Sequence, residues 1–137
     1  MRDLNPFATR SLGREKHRAA YAAYMRSEAW FIRRRWWFEA LSDAGRKSVE
    51  CLGCGKNWLL GRDDVHHIDY TRLGHEEVDD LWPLCRSCHT LLHQVMESSK
   101  SWRKIPRRQA NALAITKVKA MKSFNKAHEH SNSAGKR

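Results

Sequence analysis

The sequence contains no apolar run approaching the roughly 18 to 20 residues that span a bilayer, so a membrane-spanning protein is not expected. Its N-terminus lacks the charged-then-apolar layout of a secretory signal. We therefore expect a cytoplasmic protein whose thiols stay reduced. No internal repeat is present. The length of 137 residues suggests one compact domain with appendages, or at most two small ones.

Acidic residues are scarce at the C-terminal end. Residues 98–137 contain 11 Lys and Arg but one acid, which leaves a net charge of +10. Residues 1–46 carry +5 and residues 47–97 carry −4, and the three segments together return the +11 of the whole chain. Two basic flanks around a slightly acidic centre favour phosphate contact by the flanks and cation binding in the middle. A membrane surface or another acidic partner would suit the same charge.

The N-terminal flank is predicted to be mainly helical. Residues 1–13 are interpreted as an irregular basic arm and residues 14–46 as a helical region. Ser27 suits the N-cap of a second helix within that region. The aromatic residues of this second helix are predicted to lie in the core: Trp30, Trp37 and Phe38.

The C-terminal flank is predicted to be a basic helix over residues 98–127, followed by a disordered tail at residues 128–137. Pro106 suits the first turn of that helix. Its predicted apolar stripe consists of Leu113, Val118, Met121 and Phe124. This flank is expected to supply affinity for nucleic acid and to take no part in chemistry.

Residues 47–97 hold all four cysteines and five of the eight histidines, so we interpret them as the chemical core. Short extended segments are predicted at residues 49–54, 64–68 and 81–84, and a helix is predicted at residues 86–97. The fold class is therefore α+β, with a small core between basic helices.

The cysteines form two pairs, Cys51-x2-Cys54 and Cys85-x2-Cys88, separated by 30 residues. Two such pairs in a reducing compartment predict a tetrahedral four-thiolate zinc site. A closed four-sulfur shell leaves no position for water, so the zinc would be structural. A core of about 50 residues buries little apolar area and needs such support. Two disulfides or a redox-active pair are the alternatives.

The histidines suggest a second cation site. His89 and His93 lie four residues apart on the predicted helix, so both rings project from one face. His66 and His67 are neighbours on a predicted strand, so their side chains point to opposite faces. One of the two is expected to bind the same ion as the helix pair, and the other to act as a base.

This pattern resembles the HNH endonuclease motif. The resemblance is carried by the segment Val65-His66-His67-Ile68, by the segment from Leu84 to His89, and by His93. It covers about residues 20–95, since further matching positions precede the cysteines and follow the histidines: Tyr21, Tyr24, Met25, Ser27, Trp30, Tyr70, Arg72, Leu73, Gly74 and Glu76. The family's fold is the ββα-metal fold with one catalytic divalent ion, so the resemblance implies that core here.

Carried over to this sequence, the resemblance assigns a role to each histidine of the motif. His66 matches the first metal ligand and His67 the general base. His89 matches the last histidine of the motif, and His93 matches the extra ligand of the colicin-like branch. The catalytic ion is expected to be Mg²⁺, Mn²⁺, Ni²⁺ or Zn²⁺, in addition to the structural Zn²⁺.

Asp80 stands where the family has its middle Asn, which is a departure from the motif. An ionised Asp accepts hydrogen bonds but donates none, so Asp80 either orients the loop of the base or weakens activity. Glu76 is a candidate supporting carboxylate, with a solvated loop acid as the alternative. We count Asp80 with His67 in the predicted catalytic set.

The predicted function is metal-dependent hydrolysis of DNA phosphodiester bonds, with His67 activating water and the ion stabilising the phosphate and the leaving group. Duplex DNA is the expected substrate, and phage or host DNA-processing proteins are candidate partners of a phage or mobile-element protein. The residues predicted to contact DNA are Arg33, Arg34, Arg35, Arg107, Arg108 and Lys117.

Two other functions fit much of the sequence. A zinc-ribbon DNA-binding or adaptor protein without catalysis explains the cysteines and the charge, but not the four histidines. An RNA-binding or RNA-cleaving protein could use the same site. The sequence does not reveal the target sequence or whether the protein nicks one strand or cuts both. It also leaves the biological role open between a restriction enzyme, a homing nuclease and a phage packaging accessory.

Overall fold

A computed structural model describes residues 14–43 and 48–134. Four α-helices and one two-stranded sheet make up the regular structure of this part, which confirms the α+β class. The helices are α1 (Arg14–Met25), α2 (Glu28–Asp43), α3 (Arg86–Glu97) and α4 (Arg107–Ala134); the strands are β1 (Asp64–His67) and β2 (Leu81–Leu84). Short 3₁₀ helices cover Val78–Asp80 and Lys100–Lys104.

The chain divides into two compact units. Of the described residues, the N-terminal unit contains 14–43 and 69–81, and the cysteine unit contains 48–68 and 82–134. Residues 69–81, which the sequence placed in the core, thus group with the N-terminal helices. The C-terminal helix groups with the cysteines. The predicted arm at residues 1–13 lies outside the described residues.

In the N-terminal unit, Ser27 separates α1 from α2. Its hydroxyl accepts from the backbone N–H of Trp30 at 3.2 Å and donates to the carbonyl of Tyr24 at 2.7 Å. The predicted N-cap is therefore confirmed, because the hydroxyl satisfies an amide that the first helical turn leaves without a partner. Trp30 and Trp37 are buried as expected, while Phe38 is half-buried.

The buried carboxylate of Glu76 holds the loop at residues 69–77 of the same unit in place. Tyr24 donates its hydroxyl to Glu76 Oε1 at 2.7 Å, and the Gly74 amide donates to the same oxygen at 2.9 Å. Arg33 donates from Nε to the Glu76 carbonyl oxygen at 2.8 Å. Burial, and then the hydrogen bond to Glu76, raises the pKa of Tyr24. Glu76 is fully buried, so it is not a solvated loop acid.

In the cysteine unit, α3 and α4 pack together over the core. Leu84, Leu92 and Val118 are fully buried there, with Cys51 and Cys88 beside them. Burying each of the aliphatic side chains contributes roughly 1.5–3 kcal/mol. The helix predicted at residues 86–97 is confirmed as α3, and β1 and β2 fall within the predicted extended segments. Residues 49–54 form no strand, but a single bridge joins Glu50 to Asn57.

Helix α4 differs from its prediction in two respects. It continues to Ala134, past residue 127 where the predicted helix ends, and it buries a different set of residues from the predicted stripe. Its start at Arg107, directly after Pro106, agrees with the predicted place of that proline. Of the predicted stripe Val118 alone is buried, whereas Leu113, Met121 and Phe124 are exposed. The buried face consists of Ala110, Asn111, Ala114, Ile115 and Val118. Small residues let α4 approach α3 closely, so an assignment based on bulky side chains selected the wrong face.

Among the described residues, no helix combines the length and the hydrophobicity that a bilayer span requires.

Candidate metal centres

The four cysteine Sγ atoms lie within 4.8 Å of one another, and no disulfide joins them. Cys54 Sγ and Cys85 Sγ are 3.9 Å apart. A disulfide needs about 2.05 Å, whereas thiolates placed tetrahedrally at about 2.3 Å from zinc lie about 3.8 Å from one another. The spacing therefore fits a shared zinc ion and does not fit two disulfides.

Backbone amides donate hydrogen bonds to two of the cysteine sulfurs, which favours the thiolate form that binds a cation. Cys85 N–H donates to Cys51 Sγ at 3.3 Å, and Cys88 N–H donates to Cys85 Sγ at 3.4 Å. Burial opposes ionisation of Cys51, but the amides of Cys85, Cys54 and Gly53 outweigh it and lower its pKa. Burial, and next the charge of Cys51, raises the pKa of Cys88. A divalent cation relieves that repulsion and deprotonates coordinating thiols, which is the chemistry this donor set fits.

Gly53 allows the first knuckle to approach α3. A Cβ atom at this position would lie 2.7 Å from Cys88 Sγ and 2.9 Å from Cys88 Cβ. Gly55 turns the knuckle with a φ of +78°, which side chains rarely adopt. The two positions therefore require glycine for different reasons. Gly53 leaves space for Cys88, and Gly55 adopts a backbone conformation with positive φ.

The second cluster consists of His66, His89 and His93, whose ligand nitrogens also lie within 4.8 Å of one another. His89 Nε2 and His93 Nε2 are 3.1 Å apart. Nitrogens placed tetrahedrally at about 2.0–2.1 Å from zinc would be about 3.3–3.4 Å apart, so the spacing suits one small divalent ion. These three and the four cysteines are the ligand clusters found within the described part of the chain.

The environment favours the neutral form of two of these imidazoles, His66 and His93. Burial lowers the pKa of His66 to about 3, although the hydrogen bond that His66 donates to Asn111 opposes this shift; the charges of His89 and His93 add to the lowering. Burial first, with His89 and Arg107 following, lowers the pKa of His93 as well. A neutral imidazole has a lone pair to donate, so His66 is ready to bind a metal ion at physiological pH.

Two residues that the sequence analysis did not single out hold the histidine rings. Asp64 Oδ2 accepts from His89 Nδ1 at 3.0 Å, and Asn111 Oδ1 lies 2.6 Å from His66 Nε2. Such outer partners orient metal-binding imidazoles and set their tautomers. Asp64 could have been found, because it lies two positions before His66 on β1 and shares its face. Asn111 lies 45 positions from His66 and gives no local signal.

His67 is almost fully buried on β1, with 1% of its surface exposed, and among the described residues it does not belong to the ligand cluster. This arrangement separates the two neighbouring histidines, as strand geometry requires. Asp80 is also buried, in the N-terminal unit. Arg72 donates to both of its carboxylate oxygens, at 2.7 and 2.5 Å, and the Glu77 amide donates to it at 2.9 Å.

A cavity of about 420 Å³ adjoins His93. Trp102, Arg103 and Arg107 contribute to its lining. Arg107 begins α4, and its positive charge is close enough to lower the pKa of both His66 and His93. The cavity therefore combines a cationic wall, an aromatic wall and the edge of the histidine cluster.

The other predicted DNA-binding residues lie in varied settings. In the N-terminal unit, Arg33 donates to the Glu76 carbonyl oxygen, and its guanidinium lies 4.3 Å from the centre of the Trp36 ring. Arg35 is exposed. Arg34 lies 5.2 Å from the Phe31 ring, and its Nε is buried. In the cysteine unit, Lys117 is exposed and stacks over Trp102 at 5.4 Å. Arg108 is half-buried.

The model of the HNH endonuclease family matches residues 51–94, about a third of the chain. The matched stretch contains the four cysteines and the three clustered histidines, and it ends before α4. No curated protein and no solved structure matches the chain. The family match supports nuclease-type activity and implies a nucleic acid substrate. Residues 51–94 are thus similar to HNH endonucleases, and their four clustered thiols are consistent with the zinc type of that family.

Proposed function

We propose that the protein is a metal-dependent endonuclease that hydrolyses phosphodiester bonds of DNA. The observation that carries this proposal is the convergence of three imidazoles whose nitrogens lie within 4.8 Å of one another. The outward nitrogens of His66 and His89 are engaged by Asn111 and Asp64, so their remaining nitrogens are directed to the cluster. An adaptor protein without catalysis would have no use for this second cluster.

His66, His89 and His93 would hold the ion, and His67 would act as the base. A bound divalent ion supplies charge stabilisation for the phosphate and for the departing oxygen. His67 takes the proton of the attacking water, because a neutral imidazole accepts a proton near neutral pH. Its burial in β1 fixes the orientation of the ring, and a fixed ring keeps the accepting nitrogen in place.

Arg107 and the cavity beside His93 would receive the substrate strand. Arg107 and Arg103 line this cavity, and their guanidinium groups would contact phosphate oxygens of the strand. Arg108 and Lys117 of the same helix, with Arg33, Arg34 and Arg35 of the N-terminal unit, would add contacts to the DNA backbone.

Asp80 would act through the loop and not through proton transfer. Both of its oxygens accept from Arg72, and a carboxylate in such a pair stays ionised. The Asp in place of the family's Asn would therefore serve to hold Arg72 within the loop. Glu76 would support the loop through Tyr24 and the Gly74 amide, away from the reacting atoms.

The test is nicking of supercoiled plasmid by zinc-loaded protein with Mg²⁺, Mn²⁺, Ni²⁺ or added Zn²⁺, with and without EDTA. We expect metal-dependent nicking that His67→Ala reduces by at least about 100-fold, the scale of general-base catalysis. His75→Ala is the matched control, because His75 is exposed on the loop of the N-terminal unit. The His67→Ala variant should retain normal zinc content and normal DNA binding.

Three outcomes would contradict the proposal in whole or in part. Tight DNA binding without cleavage under any ion would favour the zinc-ribbon adaptor. Cleavage of RNA in preference to duplex and single-stranded DNA would keep the site and change its substrate. Full activity of His67→Ala would remove His67 as the base.

A further inference from the structure

Asn111 is a fully buried polar residue on α4, 17 positions beyond the end of the matched HNH segment. Its amide nitrogen donates two hydrogen bonds, to the Ile68 carbonyl at 3.1 Å and to the Arg107 carbonyl at 3.0 Å. Its amide oxygen lies 2.6 Å from His66 Nε2. Burying an amide costs desolvation free energy, which its hydrogen bonds must offset. An asparagine at this buried position therefore calls for an explanation.

The two carbonyl partners decide which way the amide faces. If the amide were turned over, its oxygen would face the carbonyl oxygens of Ile68 and Arg107, and neither can donate. The oxygen of Asn111 is therefore the atom that faces His66. The backbone bonds anchor this orientation at both β1's end and the first turn of α4.

An amide oxygen accepts hydrogen bonds and donates none, so His66 must carry its proton on Nε2. The lone pair of neutral His66 is then on Nδ1. At His89 the polarity is reversed, because Asp64 accepts from Nδ1 and leaves Nε2 for the ion. The cluster thus presents Nδ1 of His66 and Nε2 of His89, and a different outer partner, Asn111 or Asp64, selects the nitrogen in each case.

We propose that Asn111 is a positioning residue of the metal site, which fixes the tautomer and ring orientation of His66 so that Nδ1 faces a divalent ion. It makes α4 part of the metal site, although the family match ends before this helix. This inference rests on the part of the proposed function that assigns His66 to the ion, and it is independent of whether the protein cleaves DNA.

A purely structural role makes a different prediction, and two variants separate the roles. Asn111→Asp keeps an acceptor for His66 Nε2–H but loses both donations to backbone carbonyls. Asn111→Leu has a similar size and loses the acceptor as well. If Asn111 positions His66, metal affinity follows the acceptor. If it only stabilises the fold, affinity follows the melting temperature in both variants.

The first experiment is calorimetric titration of Ni²⁺ into zinc-loaded full-length protein, since zinc already fills the cysteine site. We expect Asn111→Leu to bind Ni²⁺ 10- to 100-fold more weakly, while Asn111→Asp stays within a few-fold of the unaltered protein despite a lower melting temperature. Asn125→Leu is the matched control, because Asn125 is an exposed asparagine on the same helix. It should bind Ni²⁺ normally.

The second experiment needs no variant. Long-range ¹H–¹⁵N spectra of the zinc-loaded protein without Ni²⁺ should show His66 protonated at Nε2 and His89 protonated at Nδ1. Nδ1 protonation of His66 would overturn the proposal, and so would equal losses of affinity in both Asn111 variants. If the unaltered protein binds no second ion, this inference and the proposed function fail together. If Ni²⁺ binding depends on Asn111 and plasmid remains uncut, the proposed function alone fails.

Discussion

The cysteine cluster and the histidine cluster lie in the same unit but are built differently. The sulfurs come from two short knuckles, and the surrounding amides that donate to them belong to the knuckles themselves. The imidazoles come from β1 and α3, and their outer partners are Asp64 and an asparagine of α4. The amide donors of the first site thus lie in the segments that carry its ligands, whereas the second site also needs a partner from α4, outside its ligand segments. The first should therefore govern folding and the second should govern chemistry.

The difference predicts that removing the two ions has unequal effects. Stripping zinc with a strong chelator, or replacing Cys88 with Ser, should abolish cooperative unfolding, because structural zinc contributes on the order of 10 kcal/mol apparent. His93→Ala should keep the zinc and melt within a few degrees of the unaltered protein. Circular dichroism melts with metal analysis measure both. A cooperative melt of zinc-free protein would abolish the distinction between the sites.

A smaller effect is expected at the outer partner of His89. Asp64→Asn keeps an acceptor for His89 Nδ1–H but removes its charge, so affinity for the second ion should fall by about 10-fold. Asp63→Asn is the control, because the neighbouring Asp63 pairs with Arg62 and belongs to neither ligand cluster. Ni²⁺ titration of zinc-loaded protein provides the measurement. Equal affinities in the two variants would show that Asp64 is not an outer partner of the metal site.

The smallest effect concerns the exposed face of α4. Lys117→Gln should weaken DNA binding to a similar extent whatever the DNA sequence. It should also reduce the slope of log K against the logarithm of the salt concentration by about 0.9, the value for one lost phosphate contact. Zinc content and Ni²⁺ affinity should not change. Thr116→Ala, at the adjacent exposed position, is the uncharged control. An unchanged salt slope would assign Lys117 to its stacking contact with Trp102 alone.

Point substitution is the appropriate test because α4 is more than a basic arm. Ala114, Ile115 and Val118 lie in the core with Leu92 and the zinc-binding cysteines. Deleting residues 98–137 would therefore expose that core and remove Asn111. The expectation that this flank contributes affinity alone has to be revised, since one face supports the metal unit and the other carries the charge.

Much of the candidate site was predictable because its patterns are local. The spacing of the cysteine pairs is enough to predict a shared ion, and a spacing of four on a helix is enough to bring His89 and His93 together. Strand alternation also predicts that His66 and His67 separate. These relations depend on backbone geometry over a few residues, which a sequence specifies directly.

The core face of α4 was not predictable in the same way. Its buried residues are mostly small, and alanines have little tendency of their own to mark a core. They are buried because α3 comes close, so the packing partner decides the face. The exposed Met121 and Phe124 gave a stronger but misleading signal.

The sequence by itself determined which side chains can bind metal ions, and with them the α+β class and the similarity of residues 51–94 to HNH endonucleases. The tertiary structure alone decided which nitrogen of each histidine is presented, because Asp64 and Asn111 become neighbours of those rings only after the chain folds. Ligand identity is a property of the residue, whereas tautomer and orientation are set by hydrogen bonds between distant segments.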